Sequence, residues 1–335
     1  MEATIAPVPP APAHPAPPAH PSPNSIYSAG MRLVAAMLAA TTALVAAGDR
    51  DATFTVGVLR RDGIVVPFAT FDGRNWSSHW PHPAVELTVP INLESVPSGW
   101  WGSTGPLASW EAWVAGSDER QTIHVRQPDW IDVHCLRQIG LRTDYRAGEF
   151  PPPPQEQPYP KDGLAVSPPR PIERVQAVPP AGDEASAMTT ALQGAFNEAE
   201  RRTARKFKHP IKASAREAVA PVIEAVYAHG SEPRVYYVES RREYRAPGGD
   251  CPLVAFGTGW FVRENGGWRP LSMAVDALNC DRLGGSYMMP LGVVRAGTRV
   301  FWLAQFSGWD HERYVVVEPR AKSVDALISE WGGGC

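Results

Sequence analysis

Two Asp-Gly dipeptides, Asp62-Gly63 and Asp72-Gly73, interrupt alternating apolar runs, and no other feature restricts the fold so tightly. Both central residues of a two-residue hairpin turn take positive φ, which Asp and Gly tolerate and branched residues do not. Thr53 to Arg60 sets Phe54, Val56 and Val58 against Thr53, Thr55 and Gly57, and Ile64 to Phe71 resumes the pattern. The spacing predicts a three-stranded meander that ends near Trp80. Asn265-Gly266-Gly267 and Ala296-Gly297 repeat the turn signal further along. Parallel strands need crossovers of a dozen or more residues, so strands joined this tightly are antiparallel.

Proline supplies the punctuation. Of 35 prolines, nine fall within residues 1–23 and eleven within residues 151–180. Residues 1–30 contain no Lys or Arg and cannot bury a core, so they are expected to be a disordered Pro/Ala-rich leader. Met31-Arg32 then precedes an uncharged stretch, Leu33 to Ala47, that ends in the small residues Val45-Ala46-Ala47. A basic start, a short apolar core and a small-residue end are the plan of a secretory signal peptide, here residues 31–47 with Met31 as the expected start. A buried Ala-rich helix and a short membrane anchor are the competing readings.

Residues 48–149 are expected to form a Trp-rich antiparallel β region, 150–182 a Pro-rich linker, and 183–335 a second β region carrying a helix. The helix is predicted over Asp183 to Phe207, where Met188, Leu192, Phe196 and Ala199 fall at helical spacing and acids and bases sit at the matching ends. Strands are predicted over 221–228, 234–244, 253–263, 268–273, 287–295, 299–306 and 312–318. Val324, Leu327, Ile328 and Trp331 make one apolar stripe after Ser323, which predicts a short closing C-terminal helix. The fold class is mainly β, two regions of antiparallel sheet with one long and one short helix.

A net charge of −3 gives nucleic acid no electrostatic footing, and no apolar run reaches the roughly 20 residues of a comfortable membrane span. Of four cysteines, Cys251 and Cys280 flank strand-like segments and are expected to pair as a disulfide; a bridge between Cys135 and Cys335 has no local support. There is no C-x-x-C pair, phosphate loop, H-E-x-x-H or G-x-S-x-G motif, and no metal or cofactor is indicated. Gly257-Thr258-Gly259 resembles the start of a dinucleotide fingerprint, but Val262 stands where the third glycine belongs. Arg201, Arg202, Arg205, Lys206 and Lys208 complement the helix dipole at its C-terminal end.

Two constellations carry the functional expectations. Twelve tryptophans include Trp100 and Trp101 in a Gly/Pro/Ser loop, where paired indoles suit stacking on sugar rings, prolines or a partner surface. Ser307-Gly308-Trp309-Asp310-His311-Glu312-Arg313 is the densest polar cluster, in which the carboxylates of Asp310 and Glu312 beside the His311 imidazole suit general acid or base work, with Asp276 or Asp281 as a further carboxylate. A polar hairpin turn is the structural alternative. The chain is thus expected to be an exported, periplasmic or secreted, non-enzymatic protein that binds a glycan, a peptide or an envelope protein. The alternatives are an exported hydrolase at the Asp310-His311-Glu312 turn and a purely structural envelope component.

Overall fold

The computed structural model describes residues 53–78, 109–114, 119–133, 136–147, 160–206, 209–245 and 251–334. The strands in chain order are β1 (Thr53–Arg60), β2 (Ile64–Asp72), β3 (Trp76–Ser77), β4 (Ser109–Val114), β5 (Arg120–Val133), β6 (Leu136–Thr143), β7 (Lys161–Ser167), β8 (Ile172–Glu173) and β9 (Gln176–Ala177). Two helices follow, α1 (Asp183–Ala204) and α2 (Ala213–Glu217). The chain then runs through β10 (Val222–His229), β11 (Arg234–Tyr244), β12 (Leu253–Glu264), β13 (Gly267–Leu278), β14 (Tyr287–Ala296), β15 (Arg299–Ser307), β16 (His311–Pro319) and β17 (Val324–Gly334). Every strand pairing is antiparallel, as the turns require.

The expected meander is present, with one change in its turns. Only the glycines take positive φ, Gly63 at 81° and Gly73 at 96°, while Asp62 and Asp72 use their carboxylates to accept following backbone N–H groups. These are three-residue or longer loops closed by an αL glycine. Asn265 (φ 52°) and Gly266 (φ 75°) instead form the two-residue turn with both residues left-handed.

Six strands close on themselves in the order β1-β7-β4-β5-β6-β2, with β1 and β2 paired to complete the ring and β3 added outside β2. Alternation along each strand sends one set of side chains into this barrel and the other set out. Leu59, Val65, Trp110, Ala112, Ile123, Leu141 and Ala165 fill the interior. Their neighbours Val58, Ile64, Val66, Trp113, Leu164 and Val166 face outward, into a core shared with Leu291, Phe301, Leu303, Tyr314 and Val316.

Those last residues belong to an inner sheet, β17-β16-β15-β14-β8. Its other face packs Met288, Val293, Trp302, Ala304, Val315 and Val317 against Tyr237 and Trp260 of an outer sheet, β13-β12-β11-β10-β9. Helix α1 covers the far side of the outer sheet through Met188, Leu192 and Phe196. The inner sheet is buried on both faces, which is why β15 and β16 read as nearly unbroken apolar runs.

Residues 150–182 were expected to separate two regions. From Pro160 onward they are woven into the fold: β7 lies between β1 and β4 in the barrel, β8 edges the inner sheet and β9 edges the outer one. Glu173 ties both edges together by accepting hydrogen bonds from Arg295 and pairing with His229 at 2.8 Å. Asp49–Cys335 accordingly forms one compact unit. The prolines at 160, 168, 169, 171, 179 and 180 fall between and beside these short strands, where no ladder N–H is required of them.

The closing helix is corrected. Residues 324–334 are strand β17, paired along β16 from Pro319↔Val324 to His311↔Gly334. A tight return, in which the Arg320 N–H donates to the Ser323 carbonyl, delivers the chain to the open edge of β16, and that row of unpaired backbone groups outweighs a four-residue apolar stripe. Gly332 and Gly334 are needed there, since a Cβ on Gly332 would stand 2.5 Å from the Tyr314 ring. The glycine tail is therefore built into the sheet. Among the described residues no helix is long and apolar enough to cross a membrane.

Candidate functional site

Asp310, His311 and Glu312 do not act on one space. Asp310 Oδ1 lies 2.9 Å from His311 Nδ1, and the imidazole stacks on Trp331 with ring centroids 5.7 Å apart. Gly308 lets that ring lie against the turn, because a Cβ there would meet it at 2.3 Å. Glu312, the next residue along the strand, points the opposite way into the protein. It is fully buried and accepts hydrogen bonds from Lys161 (3.0 Å), Gln305 (3.3 Å) and the Tyr314 hydroxyl. Burial lowers the Lys161 ammonium below its usual range, with Glu312 opposing that shift.

Trp100 and Trp101 lie outside the described residues, as do Cys135, Cys335, His79, His82 and His134. Of the other tryptophans in that stretch, Trp110 and Trp113 are core residues, and Trp76 packs edge-on against Phe54 and Phe301. Cys251 and Cys280 form the expected disulfide, with Cα atoms 5.6 Å apart.

The residues that do converge lie where the inner and outer sheets part at one end. An open cleft of about 510 Å³ is lined by Glu224, Glu239, Asp281, Arg282, Tyr287, Ser307 and Trp309, with Leu283 at its mouth. Each side chain arrives for a local reason. Glu224 is the extra residue of a bulge in β10, where the register skips from Ile223↔Ser240 to Ala225↔Glu239, and such bulges re-aim a side chain. Glu239 lies on the face of β11 that carries Tyr237 towards the inner sheet. Asp281 and Arg282 follow Cys280 in a loop of consecutive turns, in which the Arg282 N–H donates to Asn279 and the Gly285 N–H to Arg282. Tyr287 opens β14 and sits opposite Ser307 at the end of β15. Trp309 tops the β15–β16 turn and is 55% exposed.

The electrostatics divide the lining carboxylates. Glu224 is held by both terminal nitrogens of Arg282, at 3.0 and 2.5 Å, and by Arg241 at 2.7 Å. That grip raises the Arg282 guanidinium above its usual range, and the same residue keeps a left-handed φ of 61° that a non-glycine adopts at a cost. Asp281 accepts the Leu283 N–H at 3.1 Å. Glu239 is only 4% exposed and accepts the Met288 N–H through Oε1 at 2.6 Å. Burial, which the Met288 bond opposes and the charge of Glu224 assists, pushes its carboxyl up to about 7. The Tyr237 hydroxyl, on the same face of β11, stands beside the carboxyl and favours its charged form.

A carboxyl that changes charge near neutral pH, lining a cleft with a guanidinium, a phenol and an exposed indole, is the arrangement expected of a binding or acid–base site. Asp281 and the 307–309 turn had been singled out in the sequence; Glu239, Glu224, Arg282 and Tyr287 had not. The available signal was Glu239 itself, an acid directly after the apolar run Val235-Tyr236-Tyr237-Val238. Comparison of the chain with protein-family models, with curated proteins and with solved structures finds no match, so the reading of the site rests on its geometry.

Proposed function

We propose that this chain is an exported ligand-binding protein whose site is the cleft between the two sheets, with Glu239 as its principal recognition group and Trp309 as its rim. The observation that carries the reading is the Glu239 carboxyl, almost wholly removed from water yet lining an open cleft, with the Met288 N–H on Oε1 and the Tyr237 hydroxyl beside it but no ion-pair partner among the described residues. Burying a carboxylate without a full set of partners costs free energy, and a ligand that completes the set recovers it. The Cys251–Cys280 bridge supports a working place outside the reducing cytosol. The binding role first drawn from Trp100 and Trp101 thereby moves to Trp309, with a glycan, a peptide or an envelope protein as the expected sources of the ligand group.

The hydrolase reading draws less support at its original place. His311 is engaged by Asp310 and Trp331, and Glu312 is turned into the Lys161 pair, so the three groups face no common substrate position. Ser307 receives a hydrogen bond from Gln305 at 2.5 Å, which occupies an acceptor position of the hydroxyl.

An amide-detected NMR titration tests the reading. Glucose, N-acetylglucosamine, glycerol, benzylamine and benzyl alcohol are added in turn to the labelled protein. At least one is expected to shift the amides of Glu239, Arg282 and Tyr287 and the indole of Trp309 together. If none of the five moves these signals at millimolar concentration, the cleft is not a small-ligand site.

A further inference from the structure

We infer that the cleft selects an organic cation, a protonated amine or guanidinium carried on an apolar ring or chain, with the charge at Glu239 in the cleft that Asp281 also lines and the apolar body against Trp309 and Leu283. This deepens the binding reading above and rests on it. Four charged side chains line the cleft, and Arg282 and Glu224 neutralise each other through a bidentate pair. What remains is two carboxylates and no free cation among the lining residues. Asp281 accepts the Leu283 N–H and Glu239 accepts the Met288 N–H with the Tyr237 hydroxyl beside it, and neither carboxylate has an ion-pair partner among the described residues. A cation supplies the missing countercharge, which is worth most where water is excluded, as it is around a carboxylate that is 4% exposed.

The rim fits the other half of such a molecule. Trp309 is 55% exposed and Leu283 45%, so two of the exposed large apolar side chains among the described residues line this one cleft. An indole face attracts a cation and its apolar substituents together. The floor of the same loop already repeats this chemistry, with the Arg282 guanidinium lying 5.5 Å from the Phe256 ring centre and 5.3 Å from that of Tyr287.

Binding a cation displaces the proton of Glu239. The groups that face Glu239 are Glu224 and Tyr227 on β10, Tyr237 on its own strand, Arg282 from the 279–285 loop, and Tyr287 on β14. Glu224 favours the protonated carboxyl and Arg282 opposes it, so a second cation beside Glu239 tips the balance towards the ionised form. The proton passes to the buffer and affinity rises with pH. A neutral hydroxyl ligand that accepts a hydrogen bond from the protonated carboxyl has the opposite dependence.

Isothermal calorimetry with benzylamine and its neutral counterpart benzyl alcohol, at pH 5.5 and pH 8 in two buffers of different ionisation enthalpy, separates these cases. Benzylamine is expected to bind about tenfold or more tightly than benzyl alcohol at pH 8, the scale of one charge-assisted hydrogen bond. Its affinity falls at pH 5.5, and at neutral pH its heat depends on the buffer. Glu239→Gln, which keeps the acceptor for Met288, and Asp281→Asn are each expected to remove most of that preference. Equal affinity for the two compounds, or tighter binding of the alcohol, overturns the cation inference and leaves the binding reading standing. If none of the five compounds of the earlier titration binds, both fall.

Discussion

Lys161 Nζ and Glu312 Oε2 meet at 3.0 Å with 1% and 0% of their side chains exposed, fastening barrel strand β7 to inner-sheet strand β16. An ion pair taken this far from water is costly to form but far more costly to halve, because the abandoned charge has no solvent. Glu312→Ala should therefore destabilise the protein by about 3–5 kcal/mol, whereas Lys161→Met with Glu312→Leu should lie within about 2 kcal/mol of the parent. Urea unfolding of the two variants provides the comparison. A single variant as stable as the parent would show that the pair does not hold barrel and sheet together.

Glu239 makes stability depend on pH in an unusual direction. Its carboxyl titrates at about 7 in the folded protein against an ordinary 4.5. Between those values the folded state keeps a proton that the unfolded state has released, so stability contributed by this group falls as pH rises through the window. The change is on the order of 3 kcal/mol at most, at 1.36 kcal/mol per unit. Urea midpoints measured from pH 4.5 to pH 8 should decline for the parent more steeply than for Glu239→Gln. Parallel profiles for the two proteins count against a buried, protonated Glu239.

Cys251 and Cys280 close a loop over a sequence separation of 29 residues. In the chain-entropy account such a link is worth roughly 3–4 kcal/mol. Because Asp281 and Arg282 directly follow Cys280, reduction should also loosen the cleft. Cys251→Ser with Cys280→Ser is expected to lower the thermal midpoint and to weaken whatever ligand the cleft takes. Full stability combined with unchanged binding would remove the structural role given to the bridge.

The pair Gly257 and Gly259 has a packing explanation. Both lie on β12, where a Cβ at Gly257 would sit 2.5 Å from the Phe196 ring of α1 and one at Gly259 would sit 2.4 Å from Met273 Sδ. The bare Gly257 lets α1 approach the outer sheet, and the bare Gly259 leaves room for the Met273 side chain of β13. Gly257→Val should cost about 1–3 kcal/mol through overpacking. Gly266→Ala is a poor control because of its positive φ, whereas Gly194→Ala, with nothing within 4 Å of the added Cβ, should be neutral or stabilising. Circular dichroism melts of Gly257→Val and Gly194→Ala decide the matter, and equal melting points would refute it.

What could be read from the residues was local. Asp62-Gly63, Asp72-Gly73 and Asn265-Gly266 announce their turns within three or four positions, and α1 announces itself through Met188, Leu192 and Phe196. The disulfide followed from the position of Cys251 and Cys280 beside strand ends. Features that depend on distant partners were not legible. Strand β7 joins the barrel by pairing with β1 across more than a hundred residues, and β17 is a strand because β16 offers it an edge. The cleft is the extreme case. Glu224, Glu239, Arg282 and Tyr287 become neighbours only because two sheets stack and then part, and nothing in their spacing along the chain records that.

The most direct test of the account is a carbon-detected NMR titration of the Glu239 carboxyl, with and without benzylamine. The account predicts a midpoint near 7 in the free protein that moves down when the amine is bound. A midpoint in the ordinary glutamate range, or one that benzylamine leaves unmoved, would contradict it.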